Sequence, residues 1–489
     1  MSTAPAEAPP LREVTLDPDD WEEFRSLAHQ AVDDLTDRLA GVRAHRVWDP
    51  VPSGVAASFQ GPAPRQGEGM AGALRDARAR VTPYPLGNTH PRHWGWVMGS
   101  GAPVSILADI VAAGMDSNCA GFASAATLVE EQAIAWLAEG FGLPAGTSGL
   151  FVSSGSLANL TALAVARQAR AGYDVRQEGV RSDVPLRLYC STETHSSIRK
   201  GAELLGLGAG GAVAVPVGAD HAIDLAALER AIVADRDAGR RPFCVVGNAG
   251  TVNTGAVDDL HALADVAGRH GLWFHVDGAF GALAALAPEA RPRVAGLERA
   301  DSLVFCPHKW MYLTYDVSCV LVRDGAAHRA AFALTPTYLA PNGRGLVPRE
   351  LSFSHLGVDL SRGFRALKVW LALKAHGLDG YGRMVAQNIA QARYLGELID
   401  REPRLELLAP IALNVVCFRF AREGLGAAEL DALNTEILMR LQEEGIAAPS
   451  GTTVGGRFAL RVAIVNHRSR REDLEALVHA VVRLGGSLG

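Results

Sequence analysis

The feature that most constrains the fold is a regular alternation of short β-branched segments and longer Ala- and Leu-rich segments, which starts near Leu150. The short segments predict strands, and the longer ones, of about ten residues or more, predict helices. Strands that alternate with such helices form mainly parallel sheets with helices on both faces, so the sequence predicts an α/β fold. The predicted strands are Leu186–Tyr189, Val213–Val217, Phe243–Val246, Leu272–Val276, Ser302–Phe305 and Ser318–Val322, and the predicted helices include Leu157–Ala171, Leu225–Ala238 and Asp258–His270.

The length of the chain predicts more than one packed unit. Its 489 residues exceed the roughly 250–300 residues at which a single core usually stops growing. We expect an N-terminal arm at 1–89, with 1–16 disordered, a large domain at 90–376 and a smaller C-terminal α+β domain at 377–489. The arm and the C-terminal domain contain further predicted elements, namely Trp21–Leu39, Met70–Val81, Tyr381–Ile399, Val415–Phe420, Ala427–Glu444 and Phe458–Val465.

The composition argues against several classes of function. Hydrophobic residues make up 48% of the chain, charged residues 20%, and the formal net charge is −6, so we expect no nucleic-acid partner. The six cysteines lie far apart without zinc-ligand spacing, which indicates a reduced, cytoplasmic protein without a structural metal. The sequence has no apolar run of about 18 residues, and its N-terminus lacks a charged start followed by an apolar run. We therefore expect neither a membrane span nor a secretory leader.

A glycine-rich segment, Gly206–Gly211, matches the G-x-G-x-x-G pattern of dinucleotide-binding sites. In such a site the glycines follow a strand and open a helix. Here the helical segment Ser196–Leu205 precedes the glycines, and the predicted strand Val213–Val217 follows them. We therefore interpret the segment as a helix C-terminus with a flexible turn and predict no nicotinamide site.

A lysine lies just beyond a buried-looking strand, in the segment Phe305–Trp310. A lysine that is shielded from water loses its proton more easily and becomes a nucleophilic amine, as Schiff-base chemistry requires. Lys309 is therefore a candidate nucleophile. An ion-paired lysine at a strand end is the alternative, and this segment alone does not exclude it.

An acidic residue, Asp277, ends the preceding predicted strand in the segment His275–Ala279. Ligands of parallel sheets bind at the carboxyl ends of the strands. A carboxylate there can keep the pyridine nitrogen of pyridoxal 5′-phosphate (PLP) protonated, which makes the ring an electron sink. On its own, an Asp at a strand end is usually a helix cap or turn residue.

Two further segments follow predicted strands. Ser153–Ser156 joins the strand-like Leu150–Val152 to a long helix, and its small residues would let the helix N-terminus bind a phosphate. Thr194–Ser197 places an imidazole, His195, at another strand end. An ordinary serine N-cap and a solvated histidine are the respective alternatives. Together with Asp277 and Lys309, however, these segments predict one site at one edge of the sheet.

Five segments resemble, in order and spacing, the group II PLP-dependent amino-acid decarboxylases, a family that includes aromatic-L-amino-acid, histidine and glutamate decarboxylases. The resemblance extends from about His90 to the C-terminus and is greatest to bacterial aromatic-type members. It implies PLP as cofactor, the aspartate-aminotransferase-like fold (fold type I) and a homodimer with shared active sites. The five segments are Phe151–Asn159, Glu193–Ser197, Gly250–Asp258, His275–Ala279 and Pro307–Trp310.

The resemblance also implies a role for individual residues. Lys309 would form the Schiff base with PLP, and Asp277 would contact the pyridine nitrogen. His195 would stack on one face of the ring, with Ala279 against the other. The full implied set of cofactor-binding residues is Gly155, Ser156, His195, Thr251, Asp277, Ala279, His308 and Lys309, with the phosphate held by the first two and His308 close to it.

Substrate chemistry is implied by a downstream segment, Leu334–Leu339. It resembles the family's mobile loop, whose tyrosine, here Tyr338, reaches in from the neighbouring subunit and protonates the substrate carbon. Two departures from the family pattern matter. Cys306 stands where Asn or Asp is frequent before Pro-His-Lys, and His93–Ala102 keeps the family's aromatic character without the residues usual in animal members.

The sequence therefore predicts an enzyme that decarboxylates an L-amino acid, aromatic by preference, to the amine and CO₂. The alternative outcomes with the same cofactor are oxidation to an aldehyde or β-elimination. Tyr338 and His195 are both present, which favours the amine. A non-enzyme is a third interpretation, but it would need the loss of Lys309, which is intact, or a DNA-binding domain, which the acidic arm does not provide.

Overall fold

The computed structural model describes residues 14–488. Within them the chain forms two compact units, residues 14–45 with 49–86, and residues 46–48 with 87–488. The expectation of disorder at 1–16 falls almost wholly outside the described residues. The predicted division at 376/377 does not appear as a separate compact unit, so the three-part domain organisation remains a prediction.

The first unit is helical, and its Pro- and Gly-rich segment at 49–69 includes a short helix at Ser53–Ser58. Its first helix begins where the Asp20 carboxylate accepts hydrogen bonds from the N–H groups of Glu22 and Glu23. An ion pair of 2.6 Å between Arg78 and Asp34 joins the first and third helices. The helices are α1 (Trp21–Ala40), α2 (Ser53–Ser58) and α3 (Gly69–Arg80).

The second unit contains the remaining helices and all the strands of the described chain. Its helices are α4 (Pro103–Met115), α5 (Ala125–Gly140), α6 (Gly155–Arg170), α7 (Val175–Glu178), α8 (Ser196–Leu204), α9 (Leu225–Asp237), α10 (Leu260–His270), α11 (Pro307–Trp310), α12 (Gly325–Phe332), α13 (Ala366–Arg401), α14 (Ala427–Glu443) and α15 (Arg471–Ser487). Its strands are β1 (Ser148–Val152), β2 (Leu186–Ser191), β3 (Ala212–Val215), β4 (Arg241–Asn248), β5 (Trp273–Asp277), β6 (Ser302–Phe305), β7 (Ser318–Val322), β8 (Leu405–Leu407), β9 (Val415–Phe420), β10 (Ser450–Val454) and β11 (Arg457–Ala463).

The larger sheet has 7 strands in the order β1-β7-β6-β5-β4-β2-β3. The pairs from β6 to β3 are parallel, whereas β7 is antiparallel to both of its neighbours, β1 and β6. Helix α6 packs on β4, β5 and β6, and helix α10 packs on β4 and β5. The predicted α/β fold with a mainly parallel sheet is confirmed.

The antiparallel strand β7 determines where the functional segments meet. Because β7 reverses direction between β1 and β6, β1 runs the same way as the parallel strands. The carboxyl ends of β1, β2, β4, β5 and β6 therefore lie at one edge of the sheet. Ser153–Ser156, Thr194–Ser197, Asp277 and Lys309 all belong to this edge, as the sequence predicts.

The glycine-rich segment Gly206–Gly211 lies between a helix and a strand. Helix α8 ends at Leu204, and a single 3₁₀ turn at Ala209–Gly211 leads directly into β3. This order is the reverse of a dinucleotide-binding turn, which agrees with the interpretation from sequence.

A smaller antiparallel sheet follows, with 4 strands in the order β10-β11-β9-β8. Helices α13, α14 and α15 pack against it. Buried side chains of the sheet, such as Phe418 and Leu460, and of α15, such as Leu477, form a second hydrophobic cluster. Helix α13 is interrupted at Gly377, whose backbone has φ 67° and ψ 165°. Glycine adopts this conformation readily because it has no Cβ, which explains why the helix breaks at this residue.

Three further observations concern the described residues. No helix in 14–488 combines the length and apolar character needed to cross a membrane. Nor does this part of the chain gather three or more His, Cys, Asp or Glu side chains in a metal-binding group. All six cysteines are buried and free.

Candidate active site

A cavity of about 450 Å³ opens at the edge of the large sheet where the strand ends meet. Its walls contain side chains from all four segments that the sequence singled out, namely Ser153–Ser156, His195, Asp277 and Lys309. The smaller sheet contributes Arg461 and neighbouring residues to the opposite wall. The structure thus brings the four predicted segments together in one place.

Lys309 lies on the short helix α11, directly after β6. Pro307 occupies the first turn of this helix, where its missing N–H costs nothing, and Cys306 precedes it. Lys309 is half-buried and lines the cavity. No carboxylate among residues 14–488 forms an ion pair with it, so the alternative of a structural ion pair has no support.

Asp277, the last residue of β5, is buried with both carboxylate oxygens in use. Oδ1 accepts a hydrogen bond of 3.1 Å from the Ala279 N–H, and Oδ2 accepts one of 2.9 Å from the Asn159 amide. Both partners are hydrogen-bond donors, which suit the acceptor oxygens of a carboxylate. Further lone pairs remain for a cationic donor inside the cavity.

His195 caps the N-terminus of α8. Its Nδ1 accepts a hydrogen bond from the Ser197 N–H at 3.2 Å and contacts Ser197 Oγ at 2.8 Å. Burial is the largest cause that lowers the pKa of His195. The ring is therefore neutral near pH 7, with its proton on Nε2 because Nδ1 is an acceptor.

His308 is buried next to Lys309, and its Nδ1 lies 2.7 Å from the Val317 carbonyl oxygen. Burial first, and Lys309 second, lower the pKa of His308 to about 4. Because Nδ1–H donates to the carbonyl, Nε2 keeps a lone pair and acts as an acceptor. The ring lies 4.5 Å, centroid to centroid, from the ring of Tyr315, which also lines the cavity.

The N-terminus of α6 forms one end of the cavity. Ser154 is its N-cap and accepts a hydrogen bond of 3.2 Å from the Leu157 N–H, so the predicted serine cap is present. The N–H groups of Gly155 and Ser156 come earlier in the same turn and have no acceptor within the helix. They are suited to bind a phosphate, which the helix dipole also favours.

Cys306 lies beside this helix end. Its Sγ accepts a hydrogen bond of 3.1 Å from Ser318 Oγ. Burial is the main cause that raises the pKa of the Cys306 thiol, which therefore stays protonated. The position before Pro307 therefore carries an uncharged thiol.

Two predicted residues lie away from the cavity wall. The hydroxyl of Thr251 accepts a hydrogen bond of 3.1 Å from the Ala256 N–H, and thus turns into its own loop; Gly250, Val252 and Asn253 of that loop line the cavity instead. Tyr338 is 75% exposed and is not among the residues that line the cavity of its own chain.

The sequence interpretation missed Arg461, on β11. Its side chain is buried, with Nε donating to the Asn253 carbonyl at 2.9 Å and Nη1 to the Trp96 carbonyl at 2.7 Å. Nη2 has no partner among the described residues, although the side chain lines the cavity. A buried guanidinium with a free donor is suited to bind an anion. An arginine inside the otherwise apolar segment Phe458–Ala463 was the available signal.

Trp96 is a second missed residue, at the mouth of the cavity. Its φ of 54° is unusual for a bulky side chain and costs backbone strain. The conformation is held by the bond from Arg461 and by the Trp96 N–H, which donates to Ser450 Oγ at 3.1 Å. The indole is 53% exposed, so it is available to contact a ligand.

Comparisons with known proteins agree with this geometry. Residues 52–421 match the pyridoxal-dependent decarboxylase conserved domain. The chain is 32% identical over 457 residues to the aromatic-L-amino-acid decarboxylase of Bacillus atrophaeus, covering 93% of each chain. The crystal structure of Oryza sativa TDC with PLP and tryptamine matches with a TM-score of 0.88 at 28% identity, over 97% of this chain and 100% of that one. The crystal structure of Rhodiola rosea 4-hydroxyphenylacetaldehyde synthase matches with a TM-score of 0.85 at 25% identity, over 96% of this chain and 100% of that one.

The fold and the site define a PLP-dependent enzyme of the aspartate-aminotransferase type. More specifically, the chain belongs to the pyridoxal-dependent decarboxylase family, as the sequence resemblance implied. The residues present fit the cofactor. The α6 N-terminus suits its phosphate, the Asp277 carboxylate its pyridine nitrogen, and the Lys309 amine its aldehyde.

Proposed function

We propose that the enzyme removes the α-carboxylate of an aromatic L-amino acid and releases the amine and CO₂. The observation that carries this proposal is one cavity that contains an amine, a buried carboxylate and a buried guanidinium, those of Lys309, Asp277 and Arg461. The Bacillus atrophaeus relative, an aromatic-L-amino-acid decarboxylase, supports the choice of substrate.

Bound PLP supplies an electron sink for the electron pair that remains when CO₂ leaves. Lys309 would anchor the cofactor covalently. Asp277 would accept a hydrogen bond from the pyridine nitrogen and so stabilise its protonated form. The guanidinium of Arg461, which lines the cavity, would attract the carboxylate of the incoming amino acid and thereby orient it.

The side chain of the substrate would lie against the apolar part of the wall. Val97, Met98, Val252 and Phe280 line the cavity together with the indole of Trp96. An aromatic ring buried there gains hydrophobic and ring-to-ring contacts, whereas an acidic side chain would lose its hydration against this apolar part of the wall.

We also propose a homodimer with active sites shared between subunits. Tyr338 is exposed and outside its own cavity, so a role in protonating the substrate carbon requires a second copy. Helix α4 exposes Leu107, Ile110 and Val111 on its surface, as expected for a helix that packs against another subunit. Six free, buried cysteines support a cytoplasmic location.

Oxidation to an aldehyde is the second candidate function. The Rhodiola rosea structure that the chain resembles is named an aldehyde synthase, so the fold accommodates both outcomes. Tyr338 favours the amine, because a phenol that delivers a proton quickly leaves less time for reaction with oxygen.

A panel of L-amino acids tests the proposal. The holoenzyme is incubated with each amino acid while CO₂, amine, aldehyde and hydrogen peroxide are measured. We expect CO₂ and amine in equal amounts from an aromatic substrate, and no CO₂ from Lys309→Ala. Aldehyde with peroxide as the main product would replace the proposal by the second candidate, and turnover of acidic amino acids alone would overturn the substrate class.

A further inference from the structure

A chain of hydrogen bonds connects Asp277 to Trp273 in the core. At its far end, the indole N–H of Trp273 donates to Ser302 Oγ at 2.8 Å. Ser302 Oγ also lies 2.9 Å from His275 Nδ1, and His275 Nε2 lies 3.0 Å from Asn159 Oδ1. All these side chains are buried, so their polar groups depend on one another for hydrogen bonds.

Asn159, on helix α6, is the junction of this chain. Its Nδ2 donates to Asp277 Oδ2 at 2.9 Å and to Ser197 Oγ at 2.9 Å. Ser197 in turn contacts His195 Nδ1 at 2.8 Å. One amide therefore connects the carboxylate and the imidazole that line the cofactor cavity.

The direction of each hydrogen bond follows from the donors available. An indole N–H can only donate, so Ser302 accepts from Trp273 and can pass its own hydrogen to His275 Nδ1. His275 then carries its proton on Nε2 and donates to Asn159 Oδ1, which turns both Asn159 N–H groups towards Asp277 and Ser197. Burial lowers the pKa of His275 to about 4, in agreement with a neutral ring that has one donor and one acceptor.

The opposite direction is unfavourable. If His275 donated to Ser302 instead, Asn159 would have to flip and would point its carbonyl oxygen at the Asp277 carboxylate. Two acceptors would then face each other in a buried place, which costs the desolvation of both. The chain of hydrogen bonds is consequently one-directional as long as Asp277 is ionised.

We propose that Asn159 is a positioning residue for the cofactor. Its amide, oriented by His275, fixes the Asp277 carboxylate directly and the His195 ring through Ser197, and so sets the position of one relative to the other. The inference rests on the contacts proposed above for these two residues, one with the pyridine nitrogen and one with the face of the ring. Loss of the amide leaves both groups in the cavity but releases them from their common partner.

Asn159→Asp is the sharpest test, because it keeps the size of the side chain and removes both donors. Its carboxylate would repel Asp277 or share a proton with it. We expect an apparent dissociation constant for PLP raised by about tenfold or more, and a weaker visible circular dichroism per bound PLP, because the ring is less firmly oriented. With substrate, kcat should fall more than KM rises.

Ser302→Ala provides a second variant that changes little volume and lies three hydrogen bonds from Asp277. It removes the group that directs His275, so we expect the same changes in smaller measure. Thr161→Val is the matched control. It removes a part-buried hydrogen bond of 2.8 Å to the Leu157 carbonyl on the same helix and leaves the hydrogen bonds between Trp273 and Asp277 intact. PLP affinity and dichroism should therefore stay at wild-type values.

Wild-type PLP affinity and dichroism in Asn159→Asp would overturn the inference, as would the same changes in Thr161→Val. If Asn159→Asp fails to fold, Ser302→Ala decides by the same criteria. Asp277→Asn is measured in parallel. If it also leaves cofactor and turnover unaffected, the assignment of Asp277 is wrong and the inference falls with it; an effect in Asp277→Asn alone overturns only the role of Asn159.

Discussion

Cys306 Sγ occupies the space next to Gly155, so that a Cβ at position 155 would lie 2.8 Å from the sulfur. Real side chains essentially never approach so closely. The sulfur is buried and accepts a hydrogen bond from Ser318 Oγ, so it has little freedom to move. Glycine at 155 is thus required by the neighbouring thiol, in addition to any close approach of the phosphate.

Gly155→Ala should weaken cofactor binding. Overpacking costs about 1–3 kcal/mol, and a tenfold change corresponds to about 1.4 kcal/mol, so PLP affinity should fall by about tenfold. Titration of the apoprotein with PLP measures the change. Gly155→Ala combined with Cys306→Ala, which removes the sulfur, should recover most of the loss; no recovery would show that the phosphate, rather than the thiol, excludes the side chain.

Asp277→Asn tests the partner of the pyridine nitrogen. The substitution hardly changes the volume of the side chain but removes the negative charge that stabilises a protonated ring. We expect turnover to fall by about two orders of magnitude, or about 3 kcal/mol, at PLP concentrations that keep the site filled. Near wild-type turnover would reduce Asp277 to a structural residue.

Arg461→Lys tests the anion-binding group. Lysine keeps the charge but lacks the free Nη2 donor, so KM for the amino acid should rise by about tenfold. The product amine has no carboxylate, and its inhibition constant should therefore stay within about twofold of wild type. Equal weakening of amine and amino acid would indicate a general distortion of the cavity.

Tyr338→Phe tests the source of the proton. It removes a hydroxyl from an exposed loop residue and should leave stability unchanged. The ratio of amine to aldehyde should fall, because protonation of the substrate carbon becomes slower than reaction with oxygen. Product analysis at constant oxygen concentration measures the ratio. An unchanged ratio would exclude Tyr338 from the mechanism.

Buried histidines predict that acid destabilises the apoprotein. Burial is the largest cause that lowers the pKa of His275 and of His328 to about 4. The unfolded chain takes up these protons near its ordinary pKa of about 6.5. Stability is therefore complete above about pH 6.5 and decreases as the pH falls towards 4, by about 1.4 kcal/mol per pH unit for each such group.

Thermal unfolding of the apoprotein between pH 7 and pH 5 checks this expectation. His328 lies away from the cavity and bonds to Ser148 Oγ and the Leu356 carbonyl, each at 2.8 Å. His328→Gln should be less stable at pH 7 but should lose less stability on acidification. A parallel pH profile in wild type and variant would contradict the assignment to this histidine.

Much of the site was predictable because its residues follow the ends of parallel strands. Asp277 ends a recognisable hydrophobic segment, and His195 and Lys309 each come shortly after one, so their convergence required only the sheet topology. Arg461 was not predictable in the same way, because it comes from an antiparallel sheet whose packing against the cavity has no local signal. The orientation of Thr251 depends on hydrogen bonds within its own loop, which residue spacing does not reveal.

Strand β7 lies between β1 and β6 in the large sheet, although β1 precedes both β6 and β7 in the sequence by about 150 residues or more. During biosynthesis the helix end that follows β1 and the lysine that follows β6 can become neighbours only once residues 318–322 have left the ribosome. The wall that carries Arg461 is completed later still. A chain that ends before residue 318 therefore lacks both the strand that connects these two segments and the wall that carries Arg461.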